Sequence, residues 1–160
     1  MRKLFFLLTI IGIAALSRPS LAACNIIDGR AYGECSGVKI TSGEKQPLDV
    51  RTSVSESSII SGATVRSGGF LQLSGISNGD ISVKHGGRLE VTGVVNGTVR
   101  NQGGTVEIDG IVERLHSSGG KVVVGGQVGS FNGDGPVRFK KGSILQGQPL
   151  PRSGTLPKQP

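Results

Sequence analysis

FLQLSGISNGDISVKHGG (residues 70–87), RLEVTGVVNGTVRNQGG (88–104), TVEIDGIVERLHSSGG (105–120) and KVVVGGQVGSFNGDG (121–135) follow one another without a break. Each block opens with an apolar residue, an outward residue and a second apolar residue. The pairs are Leu71/Leu73, Leu89/Val91, Val106/Ile108 and Val122/Val124, with Val137/Phe139 one block later. Such alternation is that of a strand with one buried face. A glycine follows two residues on, at Gly75, Gly93, Gly110 and Gly126, and then another apolar residue. A further short strand places Val83, Val99, Leu115 and Phe131 inward before the closing glycines. A unit this short cannot bury its own apolar face, so it is one turn of something stacked. Helix is excluded, because glycine recurs too often at about 1 kcal/mol each.

The expected fold is therefore all-β: a single-stranded β-helix, or solenoid, of about six coils with 15–18 residues each, wound right-handed, over residues 45–150. Two weaker coils precede the clear ones. Ile59, Ile60 and Val65 belong to the first, and Leu48/Val50 fill opening-strand positions before it. The Asn-Gly pairs Asn78-Gly79, Asn96-Gly97 and Asn132-Gly133 read as turns needing positive φ.

Residues 1–22 read as a cleaved export signal: Arg2 and Lys3, an apolar run over 4–16, then small residues before Ala23. Two readings of Cys24 remain. In CNIIDGRAYGEC a Cys24–Cys35 disulfide would close a small cap over residues 23–44, as suits an oxidising compartment. Alternatively Leu21-Ala22-Ala23-Cys24 resembles a lipoprotein box, with Cys24 lipidated and the chain anchored to a membrane. At the other end, residues 151–160 (PRSGTLPKQP) read as a disordered, Pro-rich basic tail.

The formal net charge of +7 comes from 18 basic and 11 acidic residues. Arg2, Lys3 and Arg18 lie in the leader, leaving 18 − 3 = 15 basic against 11 acidic residues, a charge of +4. The remaining excess sits beyond Pro136. Aromatic platforms are also scarce, with Tyr32, Phe70, Phe131 and Phe139 alone after the leader. Nucleic acid is set aside as a partner.

Two columns merit attention as chemistry. Glu90 and Glu107 fall on one line a coil apart, a candidate carboxylate pair that Arg88 and Lys121 can neutralise. His85 and His116 occupy different repeat positions and imply no metal site. Arg66, Lys84, Arg100 and His116 each follow an inward residue and are expected to stack as a cationic strip for an anionic partner, with Thr64, Ser82, Thr98, Arg114 and Ser130 alongside.

The motifs TVRSGG, VKHGGRLEV and VRNQGGTVEIDG resemble the coils of bactofilin-type polymer-forming proteins and of autotransporter passenger regions. The resemblance lies in apolar and glycine spacing and implies a short β-helix that assembles or binds. Bactofilins resemble this chain in coil length, but a cleaved export signal is not typical of them. The resulting expectation is a non-enzymatic protein of the periplasm or beyond, structural or binding, with no cofactor. Its partner is a protein, an acidic glycan or another envelope component, and self-association is included. A periplasmic inhibitor or immunity-type protein is the first alternative, and a small polysaccharide-acting enzyme using Glu90 and Glu107 the second.

Overall fold

A computed structural model describes residues 24–27, 30–33, 35, 38–39, 47–150 and 152–156. The expected leader at 1–22 lies outside these residues. The described chain contains no helix and winds into a β-solenoid of about six turns with three sides. Each turn crosses a first face, then a second, then a third.

On the first face, Ser53–Glu56, Phe70–Leu73 and Arg88–Val91 stack in parallel, followed by Thr105 to Ile108, Lys121 to Val124 and Val137–Phe139. Val54, Leu71, Leu89, Val106, Val122 and Val137 stand one above another and are all buried. The spacing along this column is 17, 18, 17, 16 and then 15 residues (71 − 54, 89 − 71, 106 − 89, 122 − 106, 137 − 122), so the coils shorten toward the C-terminus. The second face carries Ile59–Ile60, Ile76–Ser77, Val94 and Val95, Ile111 and Val112, Gln127 and Val128, and Ile144–Leu145. The third carries Leu48–Val50, Ala63–Val65, Ile81–Lys84, Thr98 to Gln102, Arg114 to Ser117 and Ser130 to Asn132. In the middle of the rod the corners stay extended, and Val94–Ile108 is one continuous strand that visits all three faces.

Three positions differ from the sequence reading. Leu48 and Val50 lie on the third face over Ala63 and Val65, not on the opening strand. The first-face positions of that coil belong to Val54 and Glu56, and the charged Glu56 disguises the alternation. It is buried between Ile26 and Leu73, its Oε1 taking the Ser58 backbone N–H at 2.8 Å. On the third face, Val99 stacks on Ile81 rather than on Val83. The column of Val50, Val65 and Val83 continues through two buried polar residues, Asn101 and Ser117. Asn101 is a structural clamp there. Its Oδ1 accepts from Gly104 N–H at 2.8 Å, and its Nδ2 donates to Gly119 O at 2.8 Å.

Glycine does two different jobs. Gly68, Gly86, Gly103 and Gly120 have φ between 75° and 94° at the corner from third to first face, where L side chains are strained. The Gly75, Gly93, Gly110 and Gly126 column has no such requirement. Here a Cβ on one glycine would collide with the carbonyl oxygen of the residue stacked below, as Gly110 would with Gly93. Gly79 and Gly97 belong to this second kind, so the expectation of positive φ holds among the Asn-Gly pairs only at Gly133 (φ 126°).

Both ends of the rod carry added strands. Cys24–Ile27 pairs in parallel with Ser53–Glu56 and folds back on Arg30–Tyr32, while Val38–Lys39 runs antiparallel to Leu48–Val50. Cys24 is disulfide-bonded to Cys35 with Cα atoms 4.7 Å apart. At the far end, Gln148–Pro149 and Gly154–Leu156 run antiparallel to Ile144–Leu145 and Val137–Phe139. The expected disorder of 151–160 therefore does not hold for 154–156; residues 157–160 lie outside the described set. Such strands cover backbone edges that would otherwise template pairing.

Two substitutions test this packing by urea unfolding. Gly110→Ala should lower stability by about 1–3 kcal/mol or more through overpacking, whereas Gly119→Ala, whose Cβ meets nothing closer than 3.9 Å, should be close to neutral. Equal effects would contradict the stacking. Asn101→Val, which restores an apolar column, should nonetheless destabilise by about 1–3 kcal/mol because it leaves buried peptide groups unpaired.

Candidate binding surfaces

The outward side chains inherit their positions from the ladder. The four residues of the expected cationic strip do not stand in one line. Arg100 pairs across the ladder with Ser82 below and His116 above, continuing a line of Asp49, Thr64, Ser82, Arg100, His116 and Asn132. Lys84 instead pairs with Gln102, whose Oε1 accepts from its Nζ. The two-residue slip has the cause given above: polar Asn101 and Ser117 sit where apolar residues were expected.

Two of these cations are also answered by carboxylates. Arg66 Nε donates to Asp49 Oδ1 at 2.6 Å, and Arg100 donates to Asp80 Oδ2 at 2.9 Å. The Arg66 guanidinium holds the Asp49 carboxyl below its ordinary pKa, helped by Arg51. Asp80 is lowered first by the Thr98 backbone N–H, which donates to its Oδ1 at 2.8 Å, and then by Arg100. The third face is thus a lattice of opposite charges bridged between coils.

Glu90 and Glu107 do stand directly opposite each other on the first face. Their partners differ from the expected ones. Lys140 reaches back to bridge Glu107 and Asp109, each at 3.0 Å, and these two carboxylates raise its pKa. Gln72 lies 3.5 Å from Glu90, and Arg88 sits over the Phe70 ring at 5.3 Å. Among the described residues, no three His, Cys, Asp or Glu side chains gather as metal ligands. A shallow hollow of about 180 Å³ lies on the first face between Val123, Pro136, Lys121 and Arg138.

The second face presents what sequence reading left undecided. Ile59, Ile76, Val94 and Ile111 form one outward column, continued by Gln127 and Ile144. Ile59 is 66% exposed and Ile111 47%. Beneath them Ser77, Val95, Val112 and Val128 point inward and are buried. The sequence held a signal for this. In Ile59-Ile60, Val94-Val95 and Ile111-Val112 two apolar residues are adjacent, and a strand cannot turn both inward. The column is bordered by small and amide side chains, including Asn96, whose Nδ2 donates to Asn78 Oδ1 at 3.0 Å.

No protein-family model, curated protein or solved structure matches this chain, so what is shown is the β-solenoid of about six turns and no family.

The Asp80 bridges predict a pH dependence. A carboxyl whose folded pKa is lowered contributes stability above its unfolded value, near 4, and loses it as pH falls through the folded value. Asp80→Asn should therefore lower the urea midpoint at pH 7 by an amount worth at most about 1 kcal/mol, since the pair is half exposed. The difference from wild type should shrink as pH falls below about 4 and through the lowered folded value. A gap that does not change with pH would contradict the assignment.

Proposed function

We propose that this chain is an exported, non-catalytic structural or binding protein of a bacterial envelope that works through the second face of its solenoid. The aliphatic column of Ile59, Ile76, Val94 and Ile111 carries the reading, since repeated large apolar side chains directed at solvent on one flat face suit a contact surface. The charge pattern of the third face supports the same choice. Arg66, Arg100 and Arg114 are engaged by Asp49, Asp80 and Glu113, which leaves less cation for an anionic ligand than a free strip would offer. Strands added over both ends favour a side surface over the end-to-end assembly that the bactofilin resemblance would imply.

Export is supported by the leader-like segment at 1–22 and by the Cys24–Cys35 bond, which is compatible with an oxidising compartment. A disulfide at Cys24 also occupies the sulfur that lipidation requires. Periplasmic residence or secretion is accordingly preferred over a lipid anchor.

Expressed from its own start in a Gram-negative host, the mature chain should begin at Ala23 with its disulfide intact by mass spectrometry. Immobilised, it should retain an envelope component, and Ile76→Lys with Ile111→Lys should reduce that retention at least tenfold. Undiminished retention by the double variant would overturn the choice of surface. A discrete one-to-one complex with a hydrolase would favour the inhibitor reading. Polysaccharide cleavage lost in Glu107→Gln would favour an enzyme.

A further inference from the structure

We infer that the second face is self-complementary and pairs with the same face of a second copy of this chain, in antiparallel orientation. The inference rests on the second face being the working surface and names its occupant.

Charge argues first for a neutral partner. On this face the segments 57–62 (SSIISG), 74–79 (SGISNG) and 92–97 (TGVVNG) contain no charged residue. An acidic or basic surface would gain nothing there and would lose hydration on contact. The charges that border the face come later: Asp109 and Glu113 on the Ile111 row, engaged by Lys140 and Arg114, and Lys140 and Lys141 themselves beside the last row.

Geometry then favours a second copy. The ladder fixes the aliphatic residues at a pitch of about 4.8 Å, and an identical row is the one surface guaranteed to share that pitch. Orientation follows from the acids. Parallel copies would set Asp109 in the same row as Glu113 of the second copy, acid against acid. A two-fold axis between Ile76 and Val94 instead sets Ile76 against Val94 of the second copy, and Ile111 against its Ile59. The acidic rows then meet the uncharged first coil with Ser57, Ser58 and Ser61.

Area sets the strength. With the axis between Ile76 and Val94, four rows of each copy meet, a contact about 19 Å tall and about 15 Å wide. Pairing would cover roughly 600 Å² in total, the size of a weak, transient contact. A reversible dimer is therefore expected rather than an obligate one.

Sedimentation equilibrium of the purified mature chain tests this, with interference optics because the chain has one Tyr and no Trp. Between about 5 and 500 µM, the range suited to a weak interface, the average mass should rise from one chain toward two. Ile76→Lys with Ile111→Lys should abolish the rise while leaving the circular dichroism unchanged, and Gln72→Lys on the first face should not affect it. Independently, Val94→Cys lies next to the proposed axis and should give a dimer cross-linked by a short bis-maleimide on a reducing gel, which Gln72→Cys should not. A wild-type chain that stays monomeric throughout, or a dimer indifferent to the lysines, overturns the pairing. Monomeric behaviour together with lysine-sensitive retention of an envelope component would remove the self-pairing and leave the surface standing.

Discussion

Every feature of this rod descends from the inter-coil hydrogen bond. Arg88 N–H donates to Gly69 O, Thr105 N–H to Gly87 O, and Val94 N–H to Gly75 O, each within 2.9–3.0 Å. These bonds fix the pitch, and the pitch fixes which side chains meet. Because the bonded partner in these three lies 18 or 19 residues away, no coil completes its own ladder. Its apolar side chains are likewise covered by the coils above and below, so hydrogen bonding and burial are satisfied together or not at all.

The same constraint arranges the outer surface. Ion pairs run between coils more than along them: Arg66 to Asp49, Arg100 to Asp80, and Lys140 across two coils to Glu107. A cation placed in a column is thus near an acid from another storey, which the local sequence does not show. Where the storeys carry Ile or Val in place of charge, the ladder builds a flat apolar strip. The character of each face is set by what recurs at one position of the repeat.

That recurrence explains what could be read from the residues alone. The first-face columns were legible, since Leu71, Leu89, Val106 and Val122 each begin a clean alternation. The Cys24–Cys35 pairing was legible from spacing, although the sequence left lipidation open. The third face was legible only in part, because inward polar residues break the apolar count. Asn101 and Ser117 earn their buried places through hydrogen bonds to the turn backbone, and no hydropathy pattern announces that. Glu56 conceals a coil in the same way. The Asn-Gly pairs suggest turns, whereas Gly79 and Gly97 answer a demand from the coil beneath. The outward aliphatic column could have been found from its adjacent apolar pairs.

The stacking itself is most directly tested by solution NMR. Backbone contacts should link Leu71 to Leu89, Leu89 to Val106 and Val106 to Val122, in parallel register at separations of 18, 17 and 16 residues. The Asn96-Gly97 pair offers the competing structure, an antiparallel hairpin folded within a single block. Contacts from Val94 across to Val99 in place of the long-range set would contradict the solenoid and every surface derived from it.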